Sequence, residues 1–137
     1  FNSNIVFVGG DETSEYTKKA VSSMKYNAVD LTGMLLIGEL AEFLSRCKIF
    51  ISNDSGPVHV SVAVGTPVVA VFGRRDAGLS PVRWGPLGAI DVFIHKPPAC
   101  DPCLAHNCDK DFACLKRVTV DGVVEAASKI LEGSWIL

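Results

Sequence analysis

The fold is decided by residues 49–73, IFISNDSGPVHVSVAVGTPVVAVFG. An apolar run ends in Asn53-Asp54-Ser55-Gly56, and a stretch of small residues carrying a single His59 follows. Gly65-Thr66-Pro67 then leads straight into a second apolar run. Two short apolar runs bounded by turn residues are the pattern of strands buried on both faces. The stretch between them opens with Ser-Gly-Pro and closes with glycine, which are the start and stop signals of a helix. Strand, helix and strand in that order form a parallel crossover. Asp54 or Ser55 is placed to cap the helix and Gly56 to allow a tight turn. Pro57 suits the first turn, where it has no N–H to waste.

The same turn has a second reading. The amides of Ser55, Gly56 and Val58 would lie at the positive end of the helix, a ready site for phosphate oxygens. His59, within the first turn or so, can donate to a phosphate or a sugar hydroxyl. Asp54, at the strand tip, can accept bonds from sugar hydroxyls. A capped helix with a core histidine and a phosphate site both satisfy these residues.

Working outward, residues 4–9 read as a buried strand ending in Gly9-Gly10. Residues 11–26 read as a helix capped by Asp11 or Thr13, with Glu12 and Glu15 near its positive end. Residues 28–31 form a weak second strand closed by Thr32-Gly33, and Leu36, Leu40, Phe43 and Leu44 have helical spacing over 36–46. Strands are expected at 48–52, 68–73 and 90–94, and helices at 57–64 and 120–131, the last capped by Thr119 or Asp121. Residues 74–88 read as a loop. This rhythm specifies an α/β, Rossmann-like fold: a parallel sheet with helices on both faces. Ligands of such sheets sit at the carboxyl ends of the strands. Three turns would face that crevice: Gly9-Gly10-Asp11-Glu12, Asn53-Asp54-Ser55-Gly56 and Gly73-Arg74-Arg75-Asp76.

The 137 residues suit one compact domain, or one part of a larger protein. A start at Phe1 with a strand close behind is expected of a piece of a longer chain. The net charge of −2 offers no basic face for a phosphate backbone, which argues against nucleic acid. No apolar run reaches the roughly 18–20 residues that span a bilayer.

Cys47 reads as a small buried apolar residue; Cys100, Cys103, Cys108 and Cys114 crowd into one loop. An odd total in an α/β chain argues for a reducing compartment. The loop cysteines could hold one structural zinc, with His106 replacing a thiolate, or pair as disulfides, or stand as reduced thiols. Arg74 and Arg75 could face an anion or be solvated loop charges. Trp84 reads as a loop anchor, and His95 ends a strand with no evident partner.

The segment NDSGPVHVSVAVGTPVVAVFG, preceded by LTGMLLIGELAEFLSRCKIFIS, resembles glycosyltransferase family 9, the bacterial lipopolysaccharide heptosyltransferases. The likeness extends over most of residues 5–132, and its Asp54–Pro67 core is the most specific part. It implies that residues 1–137 are a single Rossmann-like donor-binding domain. This would be the carboxyl-terminal half of a two-domain GT-B enzyme, lacking the amino-terminal acceptor domain. It further implies roles residue by residue. Asp54 would hold hydroxyls of the donor sugar, and Ser55 and Gly56 the diphosphate. His59 would support that region, Glu12 would contact the nucleoside, and Met34 would contact the base. The implied reaction transfers heptose from an ADP-activated donor to a lipid-linked lipopolysaccharide core acceptor, with inversion and without an essential metal. Its place would be the cytoplasm, at the periphery of the inner membrane. The general base would lie in the missing domain, so no catalytic residue is assigned here and this piece alone would bind without turnover. Apart from the resemblance, the residues also fit a non-catalytic nucleotide or sugar-phosphate binding module with a zinc-stapled loop.

Overall fold

A computed structural model of the chain describes residues 3–74, 76, 78–97, 100, 103 and 107–133. The backbone divides into two compact units, Phe1–Leu40 and Ala41–Leu137.

In the first unit, β1 (Val6–Phe7) and β2 (Val29–Asp30) pair in parallel, Val6 opposite Val29 and Phe7 opposite Asp30. Both are shorter than the apolar runs that produce them. The ladder continues through Val29 N–H to the Ile5 carbonyl and Leu31 N–H to the Phe7 carbonyl, each 2.9 Å. The helix expected over 11–26 begins as a 3₁₀ turn, Asp11–Thr13, and becomes α1 at Ser14–Ser23. Thr13 stands at the N-cap position of α1, but its hydroxyl donates back to the Gly10 carbonyl at 2.8 Å instead of capping. That backward bond tightens the entry into the 3₁₀ geometry. Next in the chain, α2 (Ile37–Ser45) opens with the Glu39 carboxylate accepting the Leu36 N–H at 2.8 Å. Its Leu40 and Leu44 are buried, as their spacing requires.

The second unit holds β3 (Phe50–Asn53), α3 (Gly56–Ala63), β4 (Val68–Phe72), α4 (Pro81–Trp84), β5 (Val92–His95), α5 (Ala113–Lys116) and α6 (Val120–Leu131). Among the described residues its strands form one parallel sheet in the order β3-β4-β5. Phe50 lies opposite Val68 and Asn53 opposite Val71; Val69 lies opposite Val92 and Phe72 opposite His95. The side chains of β4 alternate between two cores. Val68, Ala70 and Phe72 pack with Val58 of α3, backed by Phe50 and Val62. Val69 packs with Ala126, Ala127 and Ile130 of α6, backed by Ile49, Val92, Ile94 and Val123. Helices therefore cover both faces, as the alternation of strand and helix signals specifies.

The return from α3 to β4 is fixed by polar bonds inside the core. Gly65 adopts φ +81°, which ends the helix, and buried Ser61 donates to the Thr66 carbonyl at 3.1 Å. The buried Thr66 hydroxyl donates to the Leu44 carbonyl at 2.6 Å, satisfying an end of α2. Thr119 caps α6 by accepting the Gly122 N–H at 3.2 Å, which settles the choice between Thr119 and Asp121.

Two short helices depart from expectation. α4 lies inside residues 74–88, read from sequence as loop, although Ser80-Pro81 is a helix-start signal. α5 follows Asp111 and Phe112, both left-handed at φ 51° and 52°. Asp tolerates that conformation, but Phe rarely adopts it, so nothing in the sequence before α5 announces its start.

Candidate functional site

At the carboxyl ends of β1 and β2 two loops are tied together by the Gly33 N–H donating to the Gly9 carbonyl at 2.8 Å. Gly33 is left-handed at φ +74°, and the Asp11 carboxylate fills the space where a side chain would start. Glu12 is exposed, with its carboxylate folded against the Cα of Gly10. Met34, next after Gly33, is also exposed. The structure therefore puts Glu12 and Met34 on one bonded pair of loops. Their burial is slight, so neither side chain is committed to the core.

In the second unit, β3 runs into Asp54, whose N–H donates to the Val71 carbonyl at 2.9 Å. That bond fixes the turn to the central strand. Ser55 stands at the N-cap position of α3 in an extended conformation, but makes no capping bond. Its hydroxyl pairs with that of Ser52 at 3.0 Å. Capping by Asp54 or Ser55 was one expectation for this turn, and the described residues show no side-chain cap. The Val58 N–H donates to the Ser55 carbonyl at 3.1 Å and is therefore partly used. The N–H groups of Ser55 and Gly56 have no protein partner among the described residues. A Cβ placed on Gly56 would meet nothing within 4 Å. The half-buried Asp54 carboxylate has no partner among the described residues either.

His59 is exposed, so it is not a core histidine. Its ring meets Trp84 of α4 edge-on, with centroids 5.9 Å apart and planes at 65°. Trp84 is a loop anchor as expected: its indole N–H donates to the Gly78 carbonyl at 2.9 Å. Asp54, Ser55, Gly56 and His59 thus share one turn and the helix that leaves it, at the carboxyl edge of a parallel sheet. After β4, Leu115 and Cys114 close over Gly73, where a Cβ would lie 3.0 Å from one and 3.4 Å from the other. Arg74 follows, half-buried.

A family model described as glycosyltransferase family 9 (heptosyltransferase) matches residues 1–113. The chain belongs to glycosyltransferase family 9. Its relatives include lipooligosaccharide heptosyltransferase 2 of Campylobacter jejuni, 29% identical over 96% of this chain and 42% of that protein. Lipopolysaccharide heptosyltransferase 3 of Escherichia coli K12 is 28% identical over 74% of this chain and 28% of that protein. Among solved structures, a family 9 glycosyl transferase from Veillonella parvula superposes with a TM-score of 0.82 at 28% identity, covering 95% of this chain and 37% of the other. E. coli ADP-heptose lps heptosyltransferase II shares the fold at a TM-score of 0.75 and 20% identity, covering 97% and 38%. The matched stretch therefore spans between 28% and 42% of the length of these relatives.

In this family 9 chain the loop thiols Cys100, Cys103, Cys108 and Cys114 are half-buried, and Cys108 Sγ accepts the Phe112 N–H at 3.4 Å. Among the described residues no three His, Cys, Asp or Glu side chains are arranged to hold a metal. His106 and Arg75 lie outside the described residues. No described helix is long and apolar enough to cross a membrane.

His95 closes β5 with its Nε2 buried and without a hydrogen-bond partner among the described residues. Burial holds its pKa below the ordinary histidine value of 6.5. A base whose pKa is depressed by folding contributes stability above 6.5, lost as the pH falls through the folded pKa. Wild type and His95→Gln should therefore differ most in urea midpoint near neutrality, and the gap should narrow on acidification. Parallel curves between pH 7.5 and 5 would remove His95 as the source, with these pH limits set around its unfolded range of about 6.5.

Proposed function

We propose that this chain is the donor-binding domain of a heptosyltransferase that takes heptose from an ADP-linked donor. The transfer would go to a lipid-linked saccharide of the lipopolysaccharide core, with inversion and without an essential metal. The observation that carries the reading is the turn at Asp54-Ser55-Gly56. Two amides and a carboxylate, none with a protein partner among the described residues, stand beside open space at the carboxyl end of a parallel sheet. A glycine required by the fold has a left-handed φ, as Gly65 does, or a close neighbour, as Gly73 does. Gly56 has neither. Open space over unpaired amides is what a diphosphate needs, since its oxygens must approach the backbone closely.

In this reading Ser55 and Gly56 bind the diphosphate, His59 supports it, and Asp54 accepts bonds from the sugar hydroxyls. Glu12 and Met34 meet the nucleoside and its base. The acceptor site and the general base come from a further domain, and the protein works in the cytoplasm at the inner membrane. Family membership supports the reaction class, and the turn chemistry supports the anionic donor.

A titration with ADP, UDP and ADP-heptose, followed through backbone amide resonances, tests this. ADP-containing ligands are expected to shift Ser55, Gly56, His59 and Glu12 more than UDP does. Gly56→Ala should keep or slightly raise the urea midpoint, since the added methyl meets nothing, while those shifts weaken. Full ADP affinity in Gly56→Ala would reduce the turn to a helix start.

A further inference from the structure

The contact between His59 and Trp84 has no role in holding the core together, because both rings are exposed. We infer that Trp84 is a positioning residue, which holds the His59 imidazole over the first turn of α3 for the donor's phosphates. The inference rests on the donor reading given above and adds to it a residue from outside the Asp54–Pro67 segment.

His59 is the fourth residue of α3. The Cα–Cβ bonds of a helix tilt toward its amino terminus, so this side chain extends back over the first turn, where the unpaired amides lie. A histidine free in solvent would sample several rotamers there, and binding an anion would have to freeze one of them. The indole limits that freedom. It is itself held at two further points: its N–H bonds the Gly78 carbonyl at 2.9 Å, and the Arg83 guanidinium lies 5.2 Å from its ring centroid. Arg83 forms no ion pair among the described residues, so its charge is committed to the indole face rather than to a carboxylate. Ring pairs of this T-shaped kind attract beyond their simple area of contact. The arrangement is thus a prepared imidazole, fixed before ligand arrives, with a cation stacked on the ring that fixes it.

The order of events in the chain makes this economical. α4 sits in the connection between β4 and β5, and Gly85, just past it, packs against Phe93 of β5. The indole is therefore carried on a segment seated against the sheet, not on a free tip. A substitution at Trp84 should change how His59 meets an anion while leaving α3 and its amides in place.

The test compares Trp84→Leu, Trp84→Phe, His59→Gln and the His59→Gln/Trp84→Leu double variant, measuring ADP affinity by calorimetry and the ring-proton resonances of His59. Trp84→Leu should displace the His59 ring resonances and weaken ADP binding about three- to tenfold, the fold-change expected from one aromatic pair. Trp84→Phe, which keeps a ring, should recover most of the affinity. In the His59→Gln background the Leu substitution should add nothing, because Trp84 acts through His59. A loss of equal size in that background, or ADP affinity unchanged in Trp84→Leu while His59→Gln is impaired, would overturn the positioning role and leave the donor reading standing. No ADP binding by wild type, or no effect of His59→Gln, would overturn the donor reading, and the inference with it.

Discussion

Phe72→Ala is expected to lower stability by about 3–5 kcal/mol, the largest loss expected from a fully buried side chain among the described residues. Phe72 is fully buried at the end of β4, packed with Val58 of α3 and edge-on to Phe93, with ring centroids 6.3 Å apart at 79°. The size of the loss depends on whether neighbours can fill the space. Here they cannot move far, since β4 is hydrogen-bonded to β3 on one edge and β5 on the other. Phe93→Ala is the control: that ring is half exposed, and its loss should cost well under half as much. Urea midpoints followed by far-ultraviolet circular dichroism would decide. A Phe72→Ala loss below about 1.5 kcal/mol, too small for removal of a buried aromatic, would mean that the α3 face of the sheet collapses readily and is not the packed centre of the unit.

Asp54→Asn is expected to weaken ADP-heptose binding roughly 10–100-fold, the range for loss of a charge-assisted hydrogen bond, while ADP binding changes by less than about threefold. An ionised carboxylate is acceptor-only and can serve two sugar hydroxyls, whereas the isosteric amide turns one acceptor into a donor. The backbone would not follow the side chain. Asp54 is held by its own N–H to the Val71 carbonyl, and its carboxylate makes no bond among the described residues that folding would miss. Stability should therefore be unchanged, and the affinity change can be read as ligand chemistry alone. Calorimetric titration of both ligands into both proteins is the measurement. Equal losses for ADP and ADP-heptose would take the sugar away from Asp54.

Much of this was legible in the chain because the decisive signals are local. Short apolar runs with Gly and Pro between them specify β3, α3 and β4, and the helical spacing with Thr119 before it specifies α6 to the residue. The turn proposed for the donor is a local feature too: Asp54-Ser55-Gly56-Pro57 carries its chemistry within four neighbours. What was missed depends on contacts distant in sequence or on rare backbone states. The start of α1 was misread because the Thr13 hydroxyl turns back to Gly10, a choice between two local bonds that composition does not decide. α4 was missed because charge and glycine in residues 74–88 outweighed the Ser80-Pro81 signal. The meeting of His59 with Trp84 spans twenty-five positions and has no pattern in the sequence at all.

The placement of β4 has a consequence in time. Paired on both edges and covered on both faces, its amides can reach solvent only when the unit unfolds as a whole. The turn that carries Asp54 hangs from this strand by the bond to Val71, yet its Ser55 and Gly56 amides have no protein partner among the described residues. The slowest-exchanging part of the unit and the turn proposed to face the donor are thus one bond apart and keep separate clocks. On the proposed donor reading, that turn can rearrange around successive ligands many times within a single lifetime of the strand that holds it.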